Sequence, residues 1–280
     1  MHRDLTTEEY GSAYKSIKKN GFCIIRNFLN QDVINELVST VEDCHQKHIN
    51  SGKKFKGVPE RDQYDKIVYG LYNIDIRFIN ILSSKPVTNI GKYFLNDEYY
   101  RFLEPNFPNF TLNYYNARSS GNKLDLHIDS HIPFPGDHAT MMQFVFLLED
   151  SNEANGCTVV VPKSHQSGQY TDRSLDLSSL TKLEGKKGDL IIWDSRLWHG
   201  TLENVSKVSR WALIATFGRW WIKPSIDIVR SVDSKIYEKC TDIEKQLLGF
   251  CSIPPRDPLD RINTKCGFDF LKSKLDEYNF

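Results

Sequence analysis

The stretch Leu124-Asp125-Leu126-His127-Ile128-Asp129 places an imidazole and a carboxylate two positions apart in apolar surroundings. In an extended strand that spacing turns both side chains to one face, with Ile128 on the other. Such a pair is half of a site for Fe(II), Mn(II) or Zn(II). Alone, an H-x-D pair equally describes two polar residues at a strand end. Its weight comes from His199 and Arg210 downstream. His127, Asp129 and His199 together make the two-imidazole, one-carboxylate facial set of non-haem Fe(II) oxygenases, which keeps positions open for substrate and dioxygen. His131, His138 and His165 lie in the same region and compete as ligands on sequence alone. Arg210 follows His199 by eleven residues, among Trp211, Leu213 and Ile214. Its guanidinium can give two parallel hydrogen bonds to one end of a dicarboxylate. A structural arginine on an edge strand is the alternative, although one in such apolar company needs a partner when buried.

Elements must bring these groups together. Thr6 or Thr7 is placed to cap a first helix that carries Tyr10, Tyr14 and Ile17 and ends at Asn20-Gly21. Phe22 to Ile25 reads as a short strand. Asn30 is positioned to cap a second helix with Val33, Ile34, Leu37, Val38 and Val41 on its apolar stripe. His45 and His48 on that helix read as solvated. Ser51 to Asp65 reads as a polar loop, Tyr69 to Leu82 as a helix, and Val87 to Leu95 as another. Strands are expected over Phe110 to Tyr115, Met141 to Leu148, Cys157 to Val161, Leu190 to Trp193 and Arg210 to Phe217, with Ala117 to Lys123 as a turn. Short strands between Gly/Asn/Asp turns argue for an all-β sandwich or barrel core. Ile226 to Ile236 and Asp242 to Leu248 read as helical, and Ser252 to Pro258 as irregular.

The 280 residues carry 36 Lys+Arg and 36 Asp+Glu, so the charges balance and nothing favours a nucleic-acid or anionic-membrane partner. Six scattered cysteines contain no C-x-x-C pair, which points to free thiols in a reducing compartment. The charged N-terminus lacks an apolar signal core, and no run of eighteen apolar residues occurs. A cytoplasmic protein with no membrane partner is expected.

Five segments, in order, resemble the phytanoyl-CoA dioxygenase family of Fe(II)- and 2-oxoglutarate-dependent oxygenases. They are Gly21 to Leu29, His127-x-Asp129-x-His131, Asn155 to His165, Gly188 to Gly200 with His199, and Arg210 at its distance from that histidine. Lys163 stands where the family usually has glycine. The likeness spans residues 10–222.

The resemblance implies a mainly β fold with flanking α-helices around a double-stranded β-helix (jelly-roll, cupin-like) core. It implies one domain over 1–280, with a helical N-terminal region over 1–100, a core over 101–222 and a C-terminal extension over 223–280. His127, Asp129 and His199 would then bind Fe(II), and Arg210 the distal carboxylate of 2-oxoglutarate. Thr201 would supply a hydroxyl to that carboxylate, and Asn113 a further co-substrate contact. His131, Gln143 and Trp193 would face a small-molecule substrate or pack behind the site. With O2 and 2-oxoglutarate, and ascorbate as reductant in vitro, the implied reaction hydroxylates an unactivated C–H bond and releases succinate and CO2. Asp129 favours oxygenation, since related halogenases have a small residue there. The rival reading is a non-catalytic or non-oxidative jelly-roll protein that binds a metal or small molecule. Family substrates include acyl-CoA thioesters, amino acids, natural-product scaffolds and phosphonates. No peroxisomal address is read at Glu277 to Phe280, and Lys53-Lys54-Phe55-Lys56 reads as a solvated loop or a contact for an anion.

Overall fold

A computed structural model describes residues 1–52, 66–100, 103, 107–119 and 121–253. The basic stretch Lys53 to Lys56 and the run Pro254 to Pro258 fall outside the described residues.

Helix α1 (Thr7–Asn20) starts at a capping box in which the Thr6 hydroxyl and the Glu9 carboxylate each satisfy the other residue's backbone N–H. It stops at Gly21, whose φ of 91° suits a residue without a side chain. A Cβ there would also stand 2.6 Å from Leu197 and 2.8 Å from the His165 ring. Strand β1 (Phe22–Ile25) follows, then α2 (Gln31–Asn50), which buries Ile34, Leu37 and Val41. Asn30 precedes α2 as expected, but its side chain makes no capping hydrogen bond.

The helix expected from Tyr69 to Leu82 is broken in two places. Tyr69 closes strand β2 (Lys66–Tyr69), and Gly70, at φ 67°, turns the chain into a short 3-10 segment over Leu71–Asn73. Asp75 then caps α3 (Ile76–Leu82) by accepting the Arg77 N–H, and α4 (Lys85–Leu95) follows. The remaining elements are β3 (Phe110–Ser119), β4 (Leu124–His127), β5 (Met141–Leu147), β6 (Thr158–Val160), β7 (Thr181–Leu183), β8 (Leu190–Asp194), β9 (His199–Thr201) and β10 (Trp211–Arg219). Short helices α5 (Ile228–Ser231), α6 (Ser234–Tyr237) and α7 (Asp242–Leu247) follow β10. Ala117 to Ser119, expected in a turn, continue β3, because β2 pairs with them: Lys66 opposes Ser119 and Val68 opposes Ala117. A distant partner overrides the local turn signal.

The chain divides into two compact units, residues 1–69 with 115–214, and 70–114 with 215–280. Strands β3 and β10 run from one unit into the other. In the second unit, Phe110 packs edge-on against Phe217, and Glu244 of α7 accepts from Ser83 behind α3. The first unit holds His127, Asp129, His199 and Arg210.

The larger sheet runs β1-β8-β5-β10-β3-β2, and the smaller β4-β9-β6-β7. β5 is buried along its whole length, as its unbroken apolar run requires. Val145, Leu147, Ile191, Trp193 and Ala212 of the larger sheet pack with Val160 and Leu183 of the smaller one. Two sheets that bury one shared core are the jelly-roll expected of the chain.

Asp189 ties the start of β8 to the end of β1. Its carboxylate accepts from the Asn27 and Lys186 backbone N–H groups at 2.9 and 2.8 Å and pairs with Arg26. Asp189→Ala would leave two backbone donors without an acceptor. It is expected to destabilise the protein by about 2–4 kcal/mol in urea denaturation. An unchanged midpoint would show that this junction is held by something else.

Candidate metal centre

Strand β4 ends at His127, so Asp129 does not reach its place by alternation along one strand. The chain leaves the sheet, and the Asp129 and Ser130 N–H groups both bond the Ser195 carbonyl, at 2.8 and 3.1 Å. His199 opens β9 directly opposite His127. Gly200 allows this close approach of strands, since a Cβ there would lie 2.6 Å from the Leu124 carbonyl oxygen. One ligand atom each from His127, Asp129 and His199 then falls within 4.8 Å of the others. His199 Nε2 stands 3.2 Å from Asp129 Oδ2, and His127 Nε2 stands 3.7 Å from Oδ1. The competing histidines stay away from this group. His131 and His138 are exposed, and His165 is buried with Nε2 at 3.3 Å from the Lys18 carbonyl.

Both ring orientations are set by the main chain. His127 Nδ1 lies 2.9 Å from the Asp125 carbonyl, and His199 Nδ1 lies 2.9 Å from the Leu197 carbonyl. A carbonyl only accepts, so each Nδ1 carries a proton and each Nε2 is the nitrogen left to face the centre. Gln143 of β5 donates to Asp129 Oδ2 at 2.7 Å and so orients the carboxylate. Trp193, opposite Gln143 on β8, packs its ring 5.2 Å from that of His199. Its indole N–H is buried with no hydrogen-bond partner among the described residues.

The charges fit a cation. Burial, followed by the charge of His199, pushes the His127 imidazole down, so it stays neutral at neutral pH. Burial alone would raise the Asp129 carboxyl, but the two imidazoles and Gln143 outweigh it and hold it at about 2. Burial would likewise lower His199, but the charge and hydrogen bond of Asp129 prevail and raise it. Without an ion, a proton on His199 balances the carboxylate. A divalent ion can take that proton's place, and the donor set of two imidazole nitrogens and one carboxylate oxygen suits Fe(II).

Arg210 lies just before β10 and is 7% exposed. Its Nε donates to the Asn155 carbonyl at 3.1 Å, and Nη1 lies 3.3 Å from Ser151 Oγ. Its own backbone N–H bonds Ser119 Oγ at 2.8 Å. Among the described residues no carboxylate pairs with it, and burial pushes the guanidinium down to about 10. Arg118, half-buried on β3, sits close enough to repel both His127 and Arg210. The Glu149 carboxylate acts on Arg210 in the opposite sense. Nothing in the sequence singles out Arg118, because it falls in the stretch expected to turn. Thr201, two residues after His199 on β9, shares its face by alternation. Asn113 is committed elsewhere: its oxygen accepts from Ser225, and its nitrogen donates to the Lys223 carbonyl.

Comparison with known proteins agrees with this fold. An uncharacterized protein of Mycobacterium tuberculosis is 29% identical over 125 residues, 44% of this chain and 46% of the relative. The match thus takes in about half the length of that relative. Phytanoyl-CoA dioxygenase 1 of Oryza sativa is 35% identical over 94 residues, 27% of this chain and 34% of the relative. Among solved structures, HygX of Streptomyces hygroscopicus with nickel and 2-oxoglutarate bound shares the fold. Its TM-score is 0.60 at 14% identity, with 79% of this chain and 89% of HygX covered. The family model for phytanoyl-CoA dioxygenase (PhyH) matches residues 17–212. A match over most of the chain makes this chain a member of the PhyH family.

Proposed function

We propose that the chain is a Fe(II)- and 2-oxoglutarate-dependent dioxygenase that hydroxylates an unactivated C–H bond of a small molecule, with release of succinate and CO2. The observation that carries this reading is the pair of imidazoles, each with Nδ1 bound to a carbonyl, whose Nε2 atoms flank one carboxylate. His127, Asp129 and His199 would hold the ion. Iron and 2-oxoglutarate, when bound, supply the activation of dioxygen, driven by oxidative decarboxylation of the co-substrate.

The chain's own residues do the positioning. Arg210 takes the distal carboxylate of 2-oxoglutarate, with its Nε and Nη1 fixed by Asn155 and Ser151 and the Thr201 hydroxyl as a second donor. Gln143 holds the Asp129 carboxylate against rotation. Trp193 and the apolar cluster behind it keep water from the inner side of His199. The ligand carboxylate at Asp129 favours oxygenation over halogenation. The reading includes a small-molecule substrate, no nucleic-acid or membrane partner and a cytoplasmic setting, supported by the balanced charge and the free cysteines. Among the described residues no helix is long and apolar enough to cross a membrane.

Purified protein given Fe(II), ascorbate and 2-oxoglutarate is expected to release succinate once a substrate is found from a panel of acids, amines and CoA esters. Chelation of the metal and Asp129→Ala should each abolish release. Arg210→Met should raise the 2-oxoglutarate KM by about 10- to 100-fold, the value of a charge-assisted hydrogen-bond pair. Metal binding without turnover across the panel would instead favour a jelly-roll binding protein.

The titration of the site gives a second test. His199 titrates above its ordinary 6.5, and His127 below. Both must be neutral to bind an ion. Mn(II) affinity should be flat at high pH and fall about tenfold per unit once the pH drops below the raised His199 value, then more steeply as His127 also charges. Calorimetry across pH 5 to about 9 reads this slope. An affinity independent of pH would exclude both histidines as ligands.

A further inference from the structure

The turn Asp194-Ser195-Arg196-Leu197 touches both arms of the candidate centre. Its Ser195 carbonyl holds the Asp129 and Ser130 backbone, and its Leu197 carbonyl holds the His199 ring. The turn is itself anchored, since the Asp194 N–H bonds the Gly21 carbonyl and the Leu197 N–H bonds that of Asp194. Arg196 and Asp194 are each 3% exposed and form a bidentate pair, Nε to Oδ1 at 3.0 Å and Nη2 to Oδ2 at 2.7 Å. The Arg196 backbone N–H adds a third bond to Oδ1 at 2.9 Å. A buried guanidinium locked in this way has Nη1 left for other acceptors. Nη1 donates to the carbonyls of Phe134 at 3.2 Å and Gly136 at 2.7 Å, and the guanidinium lies 4.7 Å from the Phe134 ring centre.

Phe134 and Gly136 belong to the loop that begins at Asp129. That loop has His131 at φ 63°, a backbone that a residue with a side chain does not keep without support. It is tied at its start by Ser195, in its middle by Arg196, and at Pro135 by a bridge to Ser167.

We propose that Arg196 is a positioning residue for the metal centre. Its guanidinium, fixed by Asp194, holds the loop behind Asp129 so that the carboxylate stays facing the two imidazoles before an ion arrives. A lysine cannot replace it, because one ammonium cannot serve a bidentate carboxylate and two carbonyls at once. The role is distinct from stabilising the fold, since the bonds end on the segment that carries a ligand. It rests on the assignment of His127, Asp129 and His199 as ligands.

The test measures Co(II) and Mn(II) affinity, and the Co(II) visible spectrum, in wild type, Asp129→Ala, Arg196→Lys and the pair Asp194→Asn/Arg196→Met. The pair removes both buried charges together and so leaves no lone carboxylate inside. Melting of each metal-free protein reports the fold separately. Wild type is expected to bind one ion and Asp129→Ala to lose it. Both Arg196 variants are expected to melt cooperatively and to bind the ion about 10- to 100-fold more weakly, as for other residues that orient ligands, with an altered Co(II) spectrum. Wild-type affinity and spectrum in the Arg196 variants would overturn the proposal while leaving the metal site in place. Loss of cooperative melting in both variants would overturn it too, since the role would then be that of the fold. A wild type that binds no ion, or an Asp129→Ala variant that binds as well as wild type, would overturn the assignment of the ligands itself.

Discussion

A carboxylate that sits between two imidazoles, each turned by a backbone carbonyl at its far nitrogen, is the constraint around which the first unit is arranged. Neither imidazole can rotate without giving up a hydrogen bond, and for His199 that bond is buried. The carboxylate is held in turn by Gln143 and by the main-chain bond to Ser195. These supports come from β4, from β5 and from the turn after β8. The jelly-roll therefore does more than bury apolar surface: it brings β4, β5, β9 and the turn after β8 to one point.

The same need for partners explains the buried arginines. Arg196 has a carboxylate and is satisfied by the protein alone, so its charge is committed to holding neighbouring groups in place. Among the described residues Arg210 hydrogen-bonds to neutral oxygens, with Arg118 and Glu149 acting on it in opposite senses. A buried guanidinium without an anion is held at a disadvantage that a bound carboxylate would relieve. The contrast between two buried arginines separates one whose partners all lie within the protein from one suited to hold an anionic ligand.

Much of this was legible in the sequence because residue type and spacing carried it. His127, Asp129, His199 and Arg210 are residue types suited to a metal and a carboxylate, set in order within segments that resemble one family, and the apolar runs of β5 and β8 show where the core lies. What was hidden depends on main-chain groups, which every residue has. The Ser195 carbonyl that receives Asp129, and the Leu197 carbonyl that turns His199, leave no trace in residue identity. Ala117 to Ser119 look like a turn because small and polar residues favour one, and only the pairing with β2 makes them strand. β7 escapes sequence reading for a similar reason: Thr181-Lys182-Leu183 has one apolar residue and gains its shape from β6. Gln143 is neutral and could do many things until its distance to Asp129 is known.

The most direct measurement on the central claim is the visible spectrum of the Fe(II)-loaded protein, taken without oxygen, as 2-oxoglutarate is added. Chelation of a ferrous ion by a 2-oxo acid at a site with open positions produces a charge-transfer band that neither component shows alone. In wild type that band is expected to appear and saturate. Its absence from protein that holds one Fe(II) would contradict the reading of His127, Asp129 and His199 as an open, co-substrate-binding iron centre.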